Sequence, residues 1–397
     1  MGKRERGNFR DKKLLVISPH FLTFVKDQVT SLSSYFNEIV VVVPLPHIPT
    51  ILQKSIKRFK IYSWRIDAEN IPQNVKIYTP KHLALPLLKN LNLRFTIRSI
   101  NKLIQKENLE FDLIHAHFTC PEGYVGAKLK EKYGTPLVIT AHGYDIYDLP
   151  FKNEYWGNKI SYALDNADQN ITVSKRNFGC IQKLKIKTDT EIIPNGYDSN
   201  LFKPMDKAEC RNKVDLPLDK RIILTVGNLL KIKGHKYLIE AMKEIVKKRR
   251  DVLCLIIGSG NLKTMLENQI KELGLEEFVK LLGGRPHNEI AFWMNACDLF
   301  VLPSLSEGNP TVMFECLGCG KPFIGTKVGG EPDIITSDDY GLLCEPASPE
   351  ELAEKILIAL DKEWDEEYIL NYAKQFTWEN IAKEIVGVYG EVMKDAT

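Results

Sequence analysis

Short, uninterrupted apolar runs rich in β-branched residues recur along this chain, separated by stretches with helical spacing, and this alternation limits the fold more than any other feature. In the first half the runs predict strands at Lys13–Ile17, Ile39–Val43, Val75–Tyr78, Leu113–His117, Leu137–Thr140 and Ile171–Val173. In the second half they predict strands at Ile222–Val226, Leu253–Ile257, Val279–Leu282, Leu299–Leu302, Pro322–Gly325 and Leu342–Cys344. Helical spacing lies between most of them, at Lys26–Phe36, Ile97–Lys106 and Gly123–Lys132, then at Lys236–Lys248, Leu262–Leu273, Glu289–Asn295, Thr311–Leu317 and Pro349–Leu360. Strands apolar on both faces must be covered on both, and strands that alternate with helices run parallel. The expected fold is α/β: two Rossmann-like, doubly wound parallel-sheet domains.

A length of 397 residues suits two domains. The pattern is interrupted by Pro194-Asn195-Gly196, Pro204 and Leu216-Pro217, so the expected division is 1–200 and 201–377. An amphipathic segment beginning at Trp378 has no strand after it and needs a surface to cover; residues 378–397 are expected to form a helix packing back on the first domain.

Net charge is 54 − 51 = +3, too balanced for a dedicated nucleic-acid binder. The balance conceals an asymmetry, because residues 1–200 carry 29 − 19 = +10 and the remainder 25 − 32 = −7. Within 51–110 the sum is 12 − 4 = +8, which points the first half toward something anionic. Eight scattered cysteines read as buried thiols in a reducing compartment; the Cys316/Cys319 spacing lacks a second pair that would complete a metal knuckle. The start Met-Gly-Lys-Arg-Glu-Arg fails the myristoylation pattern, Leu14–Val25 is a poor signal core, and no run has the ~18–20 apolar residues that span a bilayer. A cytoplasmic location, peripheral on the inner face of the cell membrane, is expected.

Open α/β sheets bind ligands beyond the carboxyl ends of their strands, so the loops after strands carry the information. Pro303-Ser-Leu-Ser-Glu307-Gly308-Asn309-Pro310 follows one strand and opens a helix. Asn309 is expected to cap that helix with Pro310 at its first position. The free N–H groups of Thr311 and Val312 then form an anion site, flanked by Glu307 and Glu315 as acceptors for sugar hydroxyls. Read blandly, Glu307 caps the helix and Glu315 makes a surface ion pair. Val226-Gly227-Asn228-Leu-Leu-Lys231-Ile-Lys233-Gly234-His235 also links a strand to a helix; its glycines permit close backbone approach and Lys233 can place a charge on a phosphate. Two solvated lysines in a turn are the plainer alternative. Ala141-His142-Gly-Tyr144-Asp145 ends a first-domain strand, with His142 able to donate to a ligand oxygen or to serve structure alone. Gly258-Ser-Gly260 lacks the third glycine of a dinucleotide fingerprint, Lys263 standing there, and His115-Ala-His117 reads as packing rather than a metal site.

In order along the chain, Pro194-Asn195-Gly196-Tyr-Asp198, Val226–Gly234, Gly258-Ser-Gly260, Pro303-Ser304, the Glu307/Glu315 pair, Gly320-Lys-Pro322, Gly329-Gly330-Glu331 and the Trp378 helix make a series. By these residues the chain resembles the retaining GT-B glycosyltransferases of family 4, over nearly its whole length. The resemblance implies two domains facing across a cleft, a nucleotide-sugar donor (UDP- or GDP-sugar) on the second, an acceptor on the first and no metal or other cofactor. Carried over by position, Glu315 would hold the donor ribose, Glu307 the transferred sugar and Lys233 the pyrophosphate, with the N–H groups after Asn309 assisting. His142 would lie near the sugar and phosphate and Arg285 beside the nucleobase. His142, Lys233 and Glu307 are thus the expected catalytic set, and Gly227, Asn228, Lys231, Gly258, Gly308, Asn309, Thr311 and Val312 complete the donor side. His20, Phe21, Tyr144 and Asp145 join His142 on the acceptor side. Many relatives carry Arg at the position of Asn228, a missing cation for which Lys231 would substitute, and Ser18-Pro-His20-Phe21 replaces a glycine-rich loop. The basic and apolar mixture of Lys54, Ile56, Lys57, Arg58, Phe59, Lys60, Ile61 and Trp64, followed by Leu83–Leu88, Arg94 and Arg98, suits an anionic membrane and a lipid-linked or glycan acceptor. A nucleotide-sugar 2-epimerase of the same fold and a non-catalytic sugar-nucleotide-binding protein are the rival readings.

Overall fold

Phe9–Ile17 (β1), Phe36–Val42 (β2), Leu45–His47 (β3), Val75–Tyr78 (β4), Lys81–Leu83 (β5), Leu113–His117 (β6), Leu137–Ala141 (β7), Gln169–Thr172 (β8) and Thr190–Ile192 (β9) are the strands of the first unit in the computed structural model, which describes residues 9–47, 66–85 and 88–395. Seven of them pair in parallel in the order β4-β2-β1-β6-β7-β8-β9, while β3 and β5 pair separately. Alternate side chains of a strand face opposite ways. Leu14, Val16, Ile39 and Val41 accordingly pack into one core with the helix Thr23–Leu32, and Leu15, Ile17, Val40 and Val42 into another with Lys89–Lys106 and Tyr124–Tyr133. The first of these cores also takes Trp378, Ile381, Ile385, Val388 and Tyr389 from the helix Trp378–Asp395, so this unit comprises Met1–Pro194 with Trp378–Thr397.

The second unit, Asn195–Thr377, holds Arg221–Val226 (β10), Val252–Ile257 (β11), Val279–Gly283 (β12), Leu299–Leu302 (β13), Phe323–Thr326 (β14) and Gly341–Cys344 (β15). They pair in parallel as β12-β11-β10-β13-β14-β15. In each sheet the earliest strand is central, and the chain winds outward from it in both directions. Such an order opens a crevice at the carboxyl ends of the two central strands, where the connections part. In the first unit these are β1 and β6; in the second, β10 and β13.

The apolar runs locate both six-strand sets, and the structure adds β9 and the small β3–β5 pair. Thr190-Glu-Ile192 is a three-residue edge strand, too short and polar to stand out. Helices Lys207–Lys213 and Glu366–Ala373 also go beyond the periodic reading; Asp206 and Asp365 cap them, accepting from the N–H groups of Glu209 at 2.7 Å and Tyr368 at 2.9 Å. No helix among the described residues is long and apolar enough to cross a membrane. The expected membrane-facing residues Lys54, Ile56, Lys57, Arg58, Phe59, Lys60, Ile61 and Trp64 lie outside the described residues.

Candidate functional site

The crevice of the second sheet is built from the loops after β10 and β13, which are stitched together: the Leu305 N–H donates to the Ile232 carbonyl at 2.7 Å. Gly234 makes this approach possible. Its φ is +66°, and a Cβ there would stand 1.8 Å from the Pro303 carbonyl oxygen. Gly258, directly after β11, is crowded in a similar way, since a Cβ there would meet the Gly227 oxygen at 1.9 Å.

That contact delivers Lys233 to Glu307. The Lys233 ammonium donates to Glu307 Oε1 at 2.6 Å, and the Ser304 hydroxyl donates to the same oxygen at 2.6 Å. On its far side the loop is held by the turn after β14, where the Gly330 N–H donates to the Gly308 carbonyl at 2.8 Å and Thr326 Oγ1 donates to the Ser304 carbonyl at 2.6 Å. Beneath lies Glu331, fully buried, accepting from the Thr326 N–H at 3.0 Å. Burial, with the Glu307 carboxylate nearby, pushes its acid well above the usual carboxylate range. Lys233 and Glu307 are therefore an ion pair fixed on two loops above a buried acid.

The helix Thr311–Gly318 starts directly after this pair. Pro310, not Asn309, is its capping residue, and the Pro310 carbonyl accepts from the Met313 N–H at 3.2 Å. Asn309 has another task. Its Oδ1 accepts from the Asn195 N–H at 2.8 Å, and its carbonyl accepts from Asn195 Nδ2 at 2.7 Å. Two buried residues 114 apart in sequence thus hold the helix entrance in place. Thr311 and Val312 are half-buried there, with first-turn N–H groups for which a helix offers no carbonyl partner. Glu315, a turn further in, has its Oε1 3.0 Å from His287 Nε2. His287 was not singled out by the sequence reading; it starts the helix His287–Ala296 directly after Arg285-Pro286. Asn228, Lys231 and Arg285 are exposed, and Gly227, Gly258 and Gly308 half-buried, around the same crevice.

In the first unit, the crevice loops follow β1, β6 and β7. His142, buried directly after β7, lies tilted against both Phe24 (centroids 4.8 Å) and Phe118 (4.7 Å). Its Nε2 lies 3.0 Å from His117 Nδ1. His115 and His117 share one face of β6, and His115 is hydrogen-bonded to Thr140 Oγ1 at 2.7 Å and to the Tyr389 hydroxyl at 2.6 Å. Burial holds His117 and His142 well below the ordinary imidazole range and takes His115 down to about 3, so all three rings are neutral near pH 7. Asp145 is a staple for this loop. Its carboxylate accepts from the N–H groups of Thr119 (2.9 Å), His142 (3.1 Å) and Gly143 (2.7 Å), which leaves it committed to backbone rather than to a ligand. Phe21 is likewise committed, being fully buried in the core beside Val25. Tyr144 is exposed, and half-buried His20 packs edge-on against Phe24 and Phe118. Among the described residues no three His, Cys, Asp or Glu side chains gather as a metal site would require.

Residues 206–376 match the family Glycosyl transferases group 1, and residues 42–201 match Glycosyltransferase Family 4. An uncharacterized glycosyltransferase of Methanocaldococcus jannaschii is 32% identical over 340 residues, covering 84% of this chain and 90% of that one. The putative teichuronic acid biosynthesis glycosyltransferase TuaC of Bacillus subtilis is 31% identical over 337 residues, covering 84% and 83%. Among solved structures, Anabaena HepE in complex with UDP superposes with a TM-score of 0.73 at 22% identity, over 96% of this chain and 100% of that one.

Proposed function

The chain belongs to the family 4, group 1 glycosyltransferases, and from that premise we propose that it moves a hexosyl group from a UDP- or GDP-sugar to a hydroxyl of a lipid-linked or glycan acceptor, with retention at the anomeric carbon. The observation that carries this reading is the Lys233–Glu307 pair, closed at 2.6 Å directly before the N-terminus of the helix Thr311–Gly318.

When the bond between sugar and diphosphate breaks, negative charge grows on the departing oxygen and positive charge on the sugar. Lys233 and the N–H groups of Thr311 and Val312 are the groups that would meet the former, the aligned peptide dipoles adding to the ammonium charge. Lys231 would supply the second cation that Asn228 lacks. Glu307 would accept from the hydroxyls of the transferred sugar, Glu315 from those of the ribose, and Arg285 would stand beside the base. Gly227, Gly258 and Gly308 would leave room for the ligand along the crevice. The bond from the anomeric carbon to the diphosphate oxygen breaks and a bond to the acceptor oxygen forms on the same face. The acceptor's proton then passes to the departing phosphate. In the first unit, His142, with His20 and Tyr144, would contact substrate, Asp145 and Phe21 supporting them from behind. The teichuronic acid biosynthesis relative and the UDP carried by HepE support a nucleotide donor and a glycan type of acceptor.

Lys233→Ala should lower turnover by about 10²–10³-fold, the usual size for one donor to a developing anion, with the melting temperature little changed. Undiminished turnover at saturating donor overturns the assignment. A panel of UDP- and GDP-sugars read by thermal shift identifies the donor, because a ligand that binds only the native state raises its stability.

The basic segment 51–110, at +8, would rest on an anionic membrane. Its described part includes exposed Leu83, Leu88, Arg94 and Arg98. Sedimentation with vesicles containing phosphatidylglycerol should remove the protein from the supernatant, and purely zwitterionic vesicles should not; equal recovery from both removes the membrane proposal.

A further inference from the structure

His142 cannot be considered apart from the ring behind it. Two neutral imidazoles joined by one hydrogen bond have two proton arrangements. In the first, His117 Nδ1–H donates to His142 Nε2, and His142 carries its own hydrogen on Nδ1. In the second, His142 Nε2–H donates to His117 Nδ1, and His117 carries its hydrogen on Nε2. The outer atoms of the pair, His117 Nε2 and His142 Nδ1, are both buried with no hydrogen-bond partner among the described residues.

The two arrangements are not equivalent, because a buried N–H left without an acceptor is costly. The second puts that hydrogen on His117, which has no exposed surface and lies against His115, whose own two nitrogens are taken by Tyr389 and Thr140. Nothing arriving from outside can meet it there. The first puts it on His142, at the carboxyl end of β7, where Phe24 and Phe118 flank the ring and 7% of the residue remains accessible. Nδ1 is itself covered in this structure, so a shift of those two flanking rings would let an oxygen of a bound molecule accept it.

We propose that His117 is a positioning residue: by donating from Nδ1 it fixes His142 as the Nδ1–H tautomer, a neutral donor kept for an oxygen of the substrate. The inference rests on the reading that His142 contacts substrate. His115 serves as the stop behind the pair, held by the Tyr389 hydroxyl from the helix Trp378–Asp395.

The test is long-range proton–nitrogen NMR of the full-length protein labelled with ¹⁵N-histidine, which reads each ring's tautomer without reference to activity. The wild type should show His142 protonated on Nδ1. His117→Leu should release it to the other tautomer or a mixture, with kcat lowered about tenfold. His117→Asn, whose amide nitrogen takes the place of Nδ1, should restore both tautomer and rate, and an unchanged melting temperature is the control for folding throughout. A wild-type His142 protonated on Nε2, or an Nδ1–H tautomer that survives in His117→Leu, overturns the proposal. Full activity of His142→Ala, with the tautomers as expected, would instead overturn the substrate contact and leave the tautomer assignment standing.

Discussion

Burial gives several histidines here a pH liability. An unfolded chain takes up a proton on each near pH 6.5. His115 in the first unit resists until about pH 3 and His235 in the second until about pH 4. Between those values the unfolded state binds more protons, so stability is whole above pH 6.5 and is lost as pH falls. Once below about pH 6, each such ring removes roughly 1.4 kcal/mol per pH unit. Denaturant titrations at pH 7, 6 and 5 should show this decline, and His235→Gln should reduce the slope by about one proton. A variant with the wild-type slope would mean that His235 is already charged in the native state. None of this was legible from residue identity, since His115 and Tyr389 meet across 274 positions. Pairings at that distance leave no local trace.

Elements were more legible than contacts. Strands apolar on both faces, such as Leu14–Ile17 and Ile39–Val42, declare themselves because both sides must be covered. The edge strand Thr190–Ile192 did not. The helix entrance at Pro310 was misplaced by one residue for an instructive reason: Asn309 has a good capping side chain, but Asn195 claims it from 114 positions away. The turn at Gly234 is where local geometry and site geometry coincide. Gly234→Ala forces both a strained φ and a collision with Pro303. It should destabilise the protein by about 1–3 kcal/mol and weaken donor binding, as Lys233 and Glu307 are no longer brought together. Chemical denaturation and donor titration measure the two effects; an unchanged donor affinity would show that the junction of the two loops does not position the pair.

At the scale of the molecule, the two units differ in how their chain is laid out. The second is one continuous stretch, Asn195–Thr377, whereas the first is closed by the helix Trp378–Asp395. That helix buries Trp378, Ile381, Ile385, Val388 and Tyr389, at about 1.5–3 kcal/mol each. Together they match the whole stability of an ordinary domain. A protein ending after Thr377 should therefore aggregate through its first unit while the second retains a cooperative melting transition; light scattering and calorimetry separate the two. A soluble truncated protein with both transitions intact would show that the helix is dispensable.

Phe9, near the start of the described residues, packs in the same core as Tyr389. On the ribosome, the half that is translated first is consequently the half that finishes last. Its sheet keeps one flank bare until the helix Trp378–Asp395 has been made, and during that interval chaperones have an apolar surface to hold.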